Sequence, residues 1–558
     1  MKKWWQEAVV YEIYCKSFCD SNGDGIGDLR GVMSKLPVLK ELGVDCIWFT
    51  PIYVSPQVDN GYDVADYYNI DPAYGTMEDF KALLEQAHSM GIRVVMDMVL
   101  NHSSDECAWF RESRKSKDNP YRNYYIWQPP KADGSEPNNW GSYFREGNGS
   151  AWEFDEATGE YYLHLYARKM PDLNWEYEPL RQEIYKMLRW WMDLGVDGFR
   201  LDVFTRFKKP EGLPDTTKEA DPILDRNGFV MDPVICQCRE GIHEILQDLN
   251  KNVFSGYDCY TVGEGAGVTW ENAAEYITQS RQEVDSVYHF QLTSRFKPRF
   301  TLAQYRQIQT NWGKLHSPAC WGTQYLSNHD LPRQVSRHGN DQKYRVESAK
   351  LLATLIHTTP GTAYIYQGEE LGMTDVCYDS IEDYNDRYTV GEYYAMVNNG
   401  VDPQKALAAL RPLSRDNARS PYQWDDSENA GFSSGKPWLK VNDNYKDINL
   451  AADRNAEDSV FAYYQKLIAM RKVQPAILDG DLRFYLEDHP GILLYTRCCP
   501  RQQMLVIANK SDDAAEFALP QELQQGRWEQ VLTNYPGRED TLEKGQMRPW
   551  ECCVFVRK

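Results

Sequence analysis

Short apolar runs recur along this chain, each followed by a helical stretch, and no other feature restricts the fold as much. Residues 44–49 read Val-Asp-Cys-Ile-Trp-Phe, residues 77–90 keep helical periodicity up to Gly91, and residues 92–99 form another apolar run. That is strand, helix, strand. Comparable runs stand at 9–14, 196–203, 259–263, 286–292, 321–326 and 362–366, with helical segments at 181–194, 241–249, 271–278, 302–312 and 344–357. Strands without a polar face must be covered on both sides, so they pair in parallel with helices outside. Eight such units favour an α/β fold of the closed (β/α)8 TIM barrel type, with the active site at the C-terminal strand ends.

Two intervals break this rhythm. Residues 101–174, rich in Trp, Tyr, Asn, Pro and Gly, separate the third strand from the helix before the fourth, and a connection that long folds as a small domain. Beyond residue 480 the text changes to short alternating strands at 482–486, 492–496, 504–508, 530–533 and 552–556. The expected organisation is a barrel from residues 1–100 and 175–479, an inserted B domain at 101–174 and a C-terminal antiparallel β-sandwich at 480–558.

Composition narrows the partners. Aspartate and glutamate number 82 against 61 lysine and arginine, a formal charge of -21, which repels nucleic-acid backbones and anionic membranes. The 17 Trp and 37 Tyr suit flat-faced binding of sugars and equally suit a large aromatic core. Glu7 and Glu12 interrupt any signal-peptide core, and no window reaches the roughly 18 to 20 apolar residues of a membrane helix. The 13 cysteines, with adjacent pairs at Cys498-Cys499 and Cys552-Cys553, do not form a spaced disulfide framework, so reduced thiols in a cytoplasm are expected. Cys236 and Cys238 lack the second pair of a zinc site and read as buried packing.

Three acids stand at the ends of expected barrel strands: Asp202 in Gly198-Phe-Arg-Leu-Asp-Val203, Glu264 in Thr261-Val-Gly-Glu-Gly265 and Asp330 in Leu326-Ser-Asn-His-Asp-Leu331. They would converge on one cleft. Residues two apart on a strand share a face, so Arg200 points with Asp202 and would hold it ionised, as a nucleophile requires. Glu264 has no cation beside it in sequence, which suits a raised pKa and a general-acid role.

Asp97-Met-Val-Leu-Asn-His102, Gly198-Phe-Arg-Leu-Asp202, Val262-Gly-Glu264 and Ser327-Asn-His-Asp330 resemble, in order and spacing, the four signature regions of the α-amylase family, glycoside hydrolase family 13. Further stretches resemble its oligo-1,6-glucosidase and α-glucosidase branch: Trp4-Trp5-Gln-Glu-Ala-Val-Val-Tyr11, Asn60-Gly-Tyr-Asp63, Met170-Pro-Asp-Leu-Asn-Trp175, Tyr366-Gln-Gly-Glu-Glu370 and Ser414-Arg-Asp-Asn-Ala-Arg-Ser-Pro421. The resemblance implies Asp202 as nucleophile, Glu264 as general acid and base, and Asp330 as the carboxylate that grips sugar hydroxyls and stabilises the transition state. It implies Arg200, His102 and His329 as hydrogen-bonding partners of the nonreducing glucose, and Tyr62 as the ring stacked on it. It also implies that Asp63 binds the terminal 4-hydroxyl and pairs with an arginine of the 415–419 segment, Arg419 being favoured over Arg415. Such a blocked subsite makes an exo-acting enzyme.

The stretch Asp20-Ser-Asn-Gly-Asp-Gly-Ile-Gly-Asp28 places oxygen donors at alternate positions with Gly25 for a turn, as a hard cation requires; the alternative is a polar turn without metal. Relatives imply a structural Ca2+ held by Asp20, Asn22, Asp24, the Ile26 carbonyl and Asp28. Val203, directly after the expected nucleophile, resembles enzymes that cleave α-1,6 bonds and equally fits ordinary strand packing. The expected activity is therefore an exo-acting retaining α-glucosidase acting on short isomalto-oligosaccharides. The alternatives are an α-1,4-glucosidase, a trehalose-6-phosphate hydrolase, a sucrose isomerase and, more remotely, a non-catalytic transporter-associated scaffold.

Overall fold

A computed structural model describes residues 2–537, 542 and 545–558. Eight barrel strands follow in chain order: β1 Val9–Ile13, β2 Cys46–Phe49, β3 Arg93–Met98, β4 Gly198–Leu201, β5 Tyr260–Gly265, β6 Ser286–His289, β7 Thr323–Gln324 and β8 Thr362–Tyr366. They lie in the order β6-β5-β4-β3-β2-β1-β8-β7, with every pairing parallel. The Thr323 hydroxyl donates to the Val287 carbonyl at 2.8 Å and joins β7 to β6, closing the ring. β7 is shorter than the expected run at 321–326, and its pairing with β8 covers only Thr323 and Gln324.

The helices that follow these strands are α1 Leu29–Leu42, α2 Met77–Ser89, α3 Glu178–Leu194, α4 Ile242–Asn252, α5 Ala273–Ile277, α6 Leu302–Leu315, α7 Arg345–Thr358 and α8 Val460–Val473. Their ends are written in the sequence. Asp28 caps α1 by accepting from the Gly31 amide, Thr76 and Asp79 form a reciprocal capping box at α2, and Gly195 takes the left-handed conformation that stops α3. α3 buries Leu180, Ile184, Leu188 and Trp191 along one stripe against the strands.

Within 101–174 a three-stranded antiparallel sheet joins Trp127–Gln128, Glu160–Leu163 and Trp152–Asp155. This unit does not stand alone, because the long connection after β4 packs on it. Gly141 donates to the Val230 carbonyl at 2.8 Å, Val230 to that of Asn139 at 2.9 Å, and the Trp140 indole to that of Pro214 at 2.8 Å. At the other end of the chain, β9 Asp481–Tyr485, β10 Ile492–Cys499, β11 Gln502–Asn509, β12 Glu529–Thr533 and β13 Cys552–Arg557 form an antiparallel sheet in the order β9-β10-β11-β13-β12. Alternation splits its faces: Ile492, Leu494, Leu505, Ile507 and Phe555 form a core with Met547, while Leu493, Tyr495, Met504 and Val506 join the main core. The Thr358 hydroxyl of α7 meets the Tyr495 hydroxyl at 2.6 Å across that junction. Among the described residues no helix is long and apolar enough to cross a membrane. Cys236 and Cys238 form no disulfide, and Cys236 is buried.

β4 and β5 approach so closely at Gly198 that a Cβ there would lie 2.0 Å from the Tyr260 carbonyl oxygen. Gly198→Ala is expected to cost roughly 1 to 3 kcal/mol or more by forcing the strands apart, lowering the thermal midpoint in calorimetry. Gly256→Ala, where a Cβ meets no atom within 4 Å, is the control and should leave the midpoint in place.

Candidate active site

One guanidinium organises the C-terminal mouth of the barrel. Arg200 lies on β4 opposite Asp97 of β3, and its Nη1 donates to Asp97 Oδ1 at 2.9 Å and to Asp202 Oδ1 at 2.6 Å. Its Nη2 meets Glu264 Oε2, on β5, at 2.8 Å. The Val203 amide also donates to Glu264 Oε2, at 3.0 Å. Asp202 and Glu264 therefore meet one planar cation from neighbouring strand ends.

The sequence suggested that Arg200 serves Asp202; the structure shares it among three carboxyls. Burial raises Asp202 well above the carboxylate range; Arg200 pulls it down, while Glu264 and Asp97 push it up. Burial likewise lifts Asp97 to about 6 against the pull of Arg200. One cation cannot neutralise three buried carboxyls, so burial and mutual repulsion raise Asp202 and Asp97 against the pull of Arg200.

A hydrogen-bonded chain ties this cluster to β1. Glu12 Oε1 lies 2.5 Å from His329 Nδ1, His329 Nε2 lies 2.7 Å from the Tyr62 hydroxyl, and that hydroxyl donates to Asp97 Oδ2 at 2.9 Å. Burial raises Glu12 well above the carboxylate range and pushes His329 down to about 3. The Tyr62 ring stacks on His329 with centroids 5.2 Å apart.

Asp330 follows β7 and opens toward the cleft, with about a third of its side chain exposed. Burial works to raise its carboxyl, but His329, Arg415, Arg419 and Arg295 hold it well below the usual range. Arg419 Nη2 donates to Asp330 Oδ1 at 2.7 Å. Arg415 lies 3.6 Å from the same oxygen and reaches on to Asp59 Oδ1 at 2.7 Å and Asp386 Oδ1 at 2.6 Å.

This arrangement corrects one expectation. Asp63 pairs with neither Arg419 nor Arg415; its carboxylate turns inward and accepts from the Val58 and Asp59 amides at 2.7 and 2.9 Å. Those bonds brace a tight turn at 59–62, where Asn60 and Gly61 have positive φ. The bracing aims Asp59, four residues earlier, at Arg415. His102 departs from its expected role too. Its Nε2 lies 3.0 Å from the Tyr62 carbonyl and its Nδ1 3.2 Å from Asn101 Nδ2, so both ring nitrogens hold the protein rather than standing free for a sugar.

Sequence reasoning did not single out Asp59, Asp97, Glu12 or Lys209. The buried Lys209 ammonium reaches Asn101 Oδ1, the Arg206 carbonyl and Asp172 Oδ2 at 2.8, 2.7 and 2.8 Å. It pins the end of β3 to the inserted segment and to the connection after β4. Val203 takes a left-handed conformation, φ 35° and ψ 39°, which is strained for a β-branched residue. The strain puts its amide on Glu264.

In the loop at 20–28 the oxygens already serve backbone amides. Asp20 Oδ1 accepts from Asn22 and Gly23, Asn22 Oδ1 from Asp24, and Asp24 Oδ1 from Ile26, while Asp28 Oδ1 accepts from Gly31. Burial would raise Asp20, but the Ser433 hydroxyl and these amides lower it, keeping it ionised. Among the described residues no three acidic, histidine or cysteine side chains are gathered as metal ligands. The donors are hard oxygens on alternate residues, as Ca2+ prefers.

The chain matches the profile of the alpha amylase catalytic domain over residues 12–480 and that of the maltogenic amylase C-terminal domain over residues 482–550. It is 49% identical to an oligo-1,6-glucosidase of Parageobacillus thermoglucosidasius, with 99% of this chain and 98% of the relative covered. It is 44% identical to a trehalose-6-phosphate hydrolase of Bacillus subtilis (strain 168), over 99% and 98% of the two chains. Among solved structures, the trehalulose synthase of Pseudomonas mesoacidophila MX-45 superposes with a TM-score of 0.92 at 39% identity, over 100% of both chains.

Arg415→Met would leave Asp59 and Asp386 buried without their shared cation, a loss of about 3 to 5 kcal/mol. Although burial opposes it, Asp386 is held well below the usual range by Arg415, Arg295 and Arg419. A depressed carboxyl stabilises the fold above its unfolded pKa and loses that contribution as pH falls through the folded value. The deficit of the variant in thermal unfolding should thus be largest near neutral pH and shrink below about pH 4.

Proposed function

The chain belongs to the α-amylase family, glycoside hydrolase family 13, and within it we propose an exo-acting retaining α-glucosidase of the oligo-1,6-glucosidase type. It releases glucose from the nonreducing end of short isomalto-oligosaccharides. The observation that carries this reading is the pair of carboxyls, Asp202 and Glu264, held on the one guanidinium of Arg200 at adjacent strand ends.

Asp202 Oδ1 is occupied by Arg200, which leaves Oδ2 to attack the anomeric carbon. Glu264 has both of its bonds, from Val203 and Arg200, on Oε2, which aims Oε1 as the proton-bearing oxygen toward the departing sugar. Attack and protonation give a glucosyl ester on Asp202. Glu264, now a base, takes a proton from water, which attacks the same carbon from the opposite side and restores the original configuration. Asp330, ionised between Arg415 and Arg419, is suited to bind the ring hydroxyls and to stabilise positive charge at the anomeric carbon. The line Asp330–Arg415–Asp59, behind Tyr62 and His329, supports a cleft that ends after one sugar ring and hence an exo mode.

Preference for the α-1,6 bond is supported by the oligo-1,6-glucosidases among the relatives and by Val203 beside the nucleophile. We further propose a structural Ca2+ in the loop at 20–28, with Asp20, Asn22, Asp24, the Ile26 carbonyl and Asp28 as ligands. Their oxygen chemistry supports that ion, whose role would be to brace the connection between β1 and α1. A cytoplasmic setting follows from the cysteine pattern of the sequence.

Asp202→Asn should abolish glucose release from isomaltose while leaving the thermal midpoint within a few degrees; unchanged turnover would end the double-displacement mechanism. The wild-type protein should release glucose from isomaltose faster than from maltose, sucrose or phosphorylated trehalose, with NMR showing α-glucose as the first product. For the loop, Ca2+ should raise the thermal midpoint relative to chelator, and Asp24→Ala should remove that increase.

A further inference from the structure

Asp330 is held by two arginines on a helix too short to hold its own place. Asp416–Arg419 is one turn of four residues, far below the length at which a helix supports itself in water. Its position has to come from outside. Arg415 caps the start of that turn and Arg419 ends it, so whatever fixes the turn also fixes the two cations around Asp330.

The bonds that do this run both ways between the turn and the segment after β7. From the turn, Arg419 Nε donates to the His329 carbonyl at 3.1 Å and Nη2 to Asp330 Oδ1 at 2.7 Å. From the segment after β7, Arg333 Nε donates to the Asn417 carbonyl at 3.2 Å and Nη2 to the Ala418 carbonyl at 2.9 Å. Each side thus lends the other one guanidinium. Arg333 meets the last carbonyls of the turn, where a cation is favoured. Its Nη1 donates to the Gln367 carbonyl just after β8, and its guanidinium carbon lies 5.2 Å from the centre of the Tyr366 ring. The Tyr366 hydroxyl donates to the same Ala418 carbonyl at 2.8 Å. Arg333 has little room to move: it is buried, its amide donates to Asp375 Oδ1 at 2.7 Å, and a Cβ on Gly368 would lie 2.9 Å from its Nη1.

We infer that Arg333 is a positioning residue for Asp330: it sets the turn that carries Arg415 and Arg419 against the segment after β7, and so fixes where the Asp330 carboxylate stands when the terminal glucose binds. The inference rests on the glucosidase reading above. All three nitrogens of Arg333 are spent on main-chain carbonyls, so it acts through the turn and is not itself a catalytic residue.

The test is a double-mutant cycle. It is read in kcat/KM for p-nitrophenyl α-glucoside, whose activated leaving group keeps slow variants measurable, and in calorimetric binding of 1-deoxynojirimycin, a glucose-shaped amine. Arg333→Met should lower kcat/KM by about ten- to a hundredfold and weaken the amine by about tenfold, on the scale of a misplacement of about 1 Å. In an Asp330→Asn background the same substitution should change either quantity by less than about threefold, because the group it positions is already disabled. Arg333→Lys, which can reach one carbonyl but not three, should fall between and serves if Arg333→Met does not fold. Losses that multiply in the Asp330→Asn background, as a merely structural role would give, or a kcat/KM within about threefold in Arg333→Met, would overturn the inference. A wild-type protein that neither cleaves isomaltose nor binds 1-deoxynojirimycin would sink the functional reading, and the inference with it.

Discussion

The Arg200 guanidinium is the interaction on which the site depends. It is buried in the barrel mouth and meets Asp97, Asp202 and Glu264 from three consecutive strands of the sheet. A buried cation needs anions and buried anions need a cation, so neither arrangement survives alone. The charge count leaves more carboxyl than guanidinium, so the three acids compete for one cation. Glu12, His329 and Tyr62 extend the network to β1 and fix the direction of Asp97.

Much of this was legible in the residues themselves. Near-continuous apolar runs with helical spacers dictate a parallel closed sheet, and the expected helices at 77–90 and 181–194 match α2 and α3 closely. The three acids at strand ends announce a cleft, since strand ends on one side of a barrel have nowhere else to point. The short β7 was harder to place, because a strand of two residues carries almost no periodic signal.

What the sequence left unreadable depends on the direction of side chains within turns. Asp59 and Asp63 look alike in the text and stand four residues apart. Only the fold of the 59–62 turn decides that Asp63 braces amides while Asp59 faces Arg415. Arg415 and Arg419 pose the same problem on a short helix: four residues apart, they divide the work, Arg419 on Asp330 and Arg415 spanning Asp59, Asp386 and Asp330. Lys209 was invisible for another reason. A lysine in a charged stretch reads as solvated surface, and its burial follows from the inserted segment closing over it, a contact between residues that are distant in the chain. The same holds for the pairing of 139–141 with Val230, which joins two connections into one packed unit.

An exo mode, which the ionic line from Asp330 through Arg415 to Asp59 supports, means that a substrate enters and leaves by one route. A chain that enters end-first leaves in pieces through the route by which it came, its shortened remainder first and the trapped hexose last. Accumulated glucose then competes with incoming chains for the innermost berth, so the stretch of protein that restricts attack to chain ends also makes turnover sensitive to its own product.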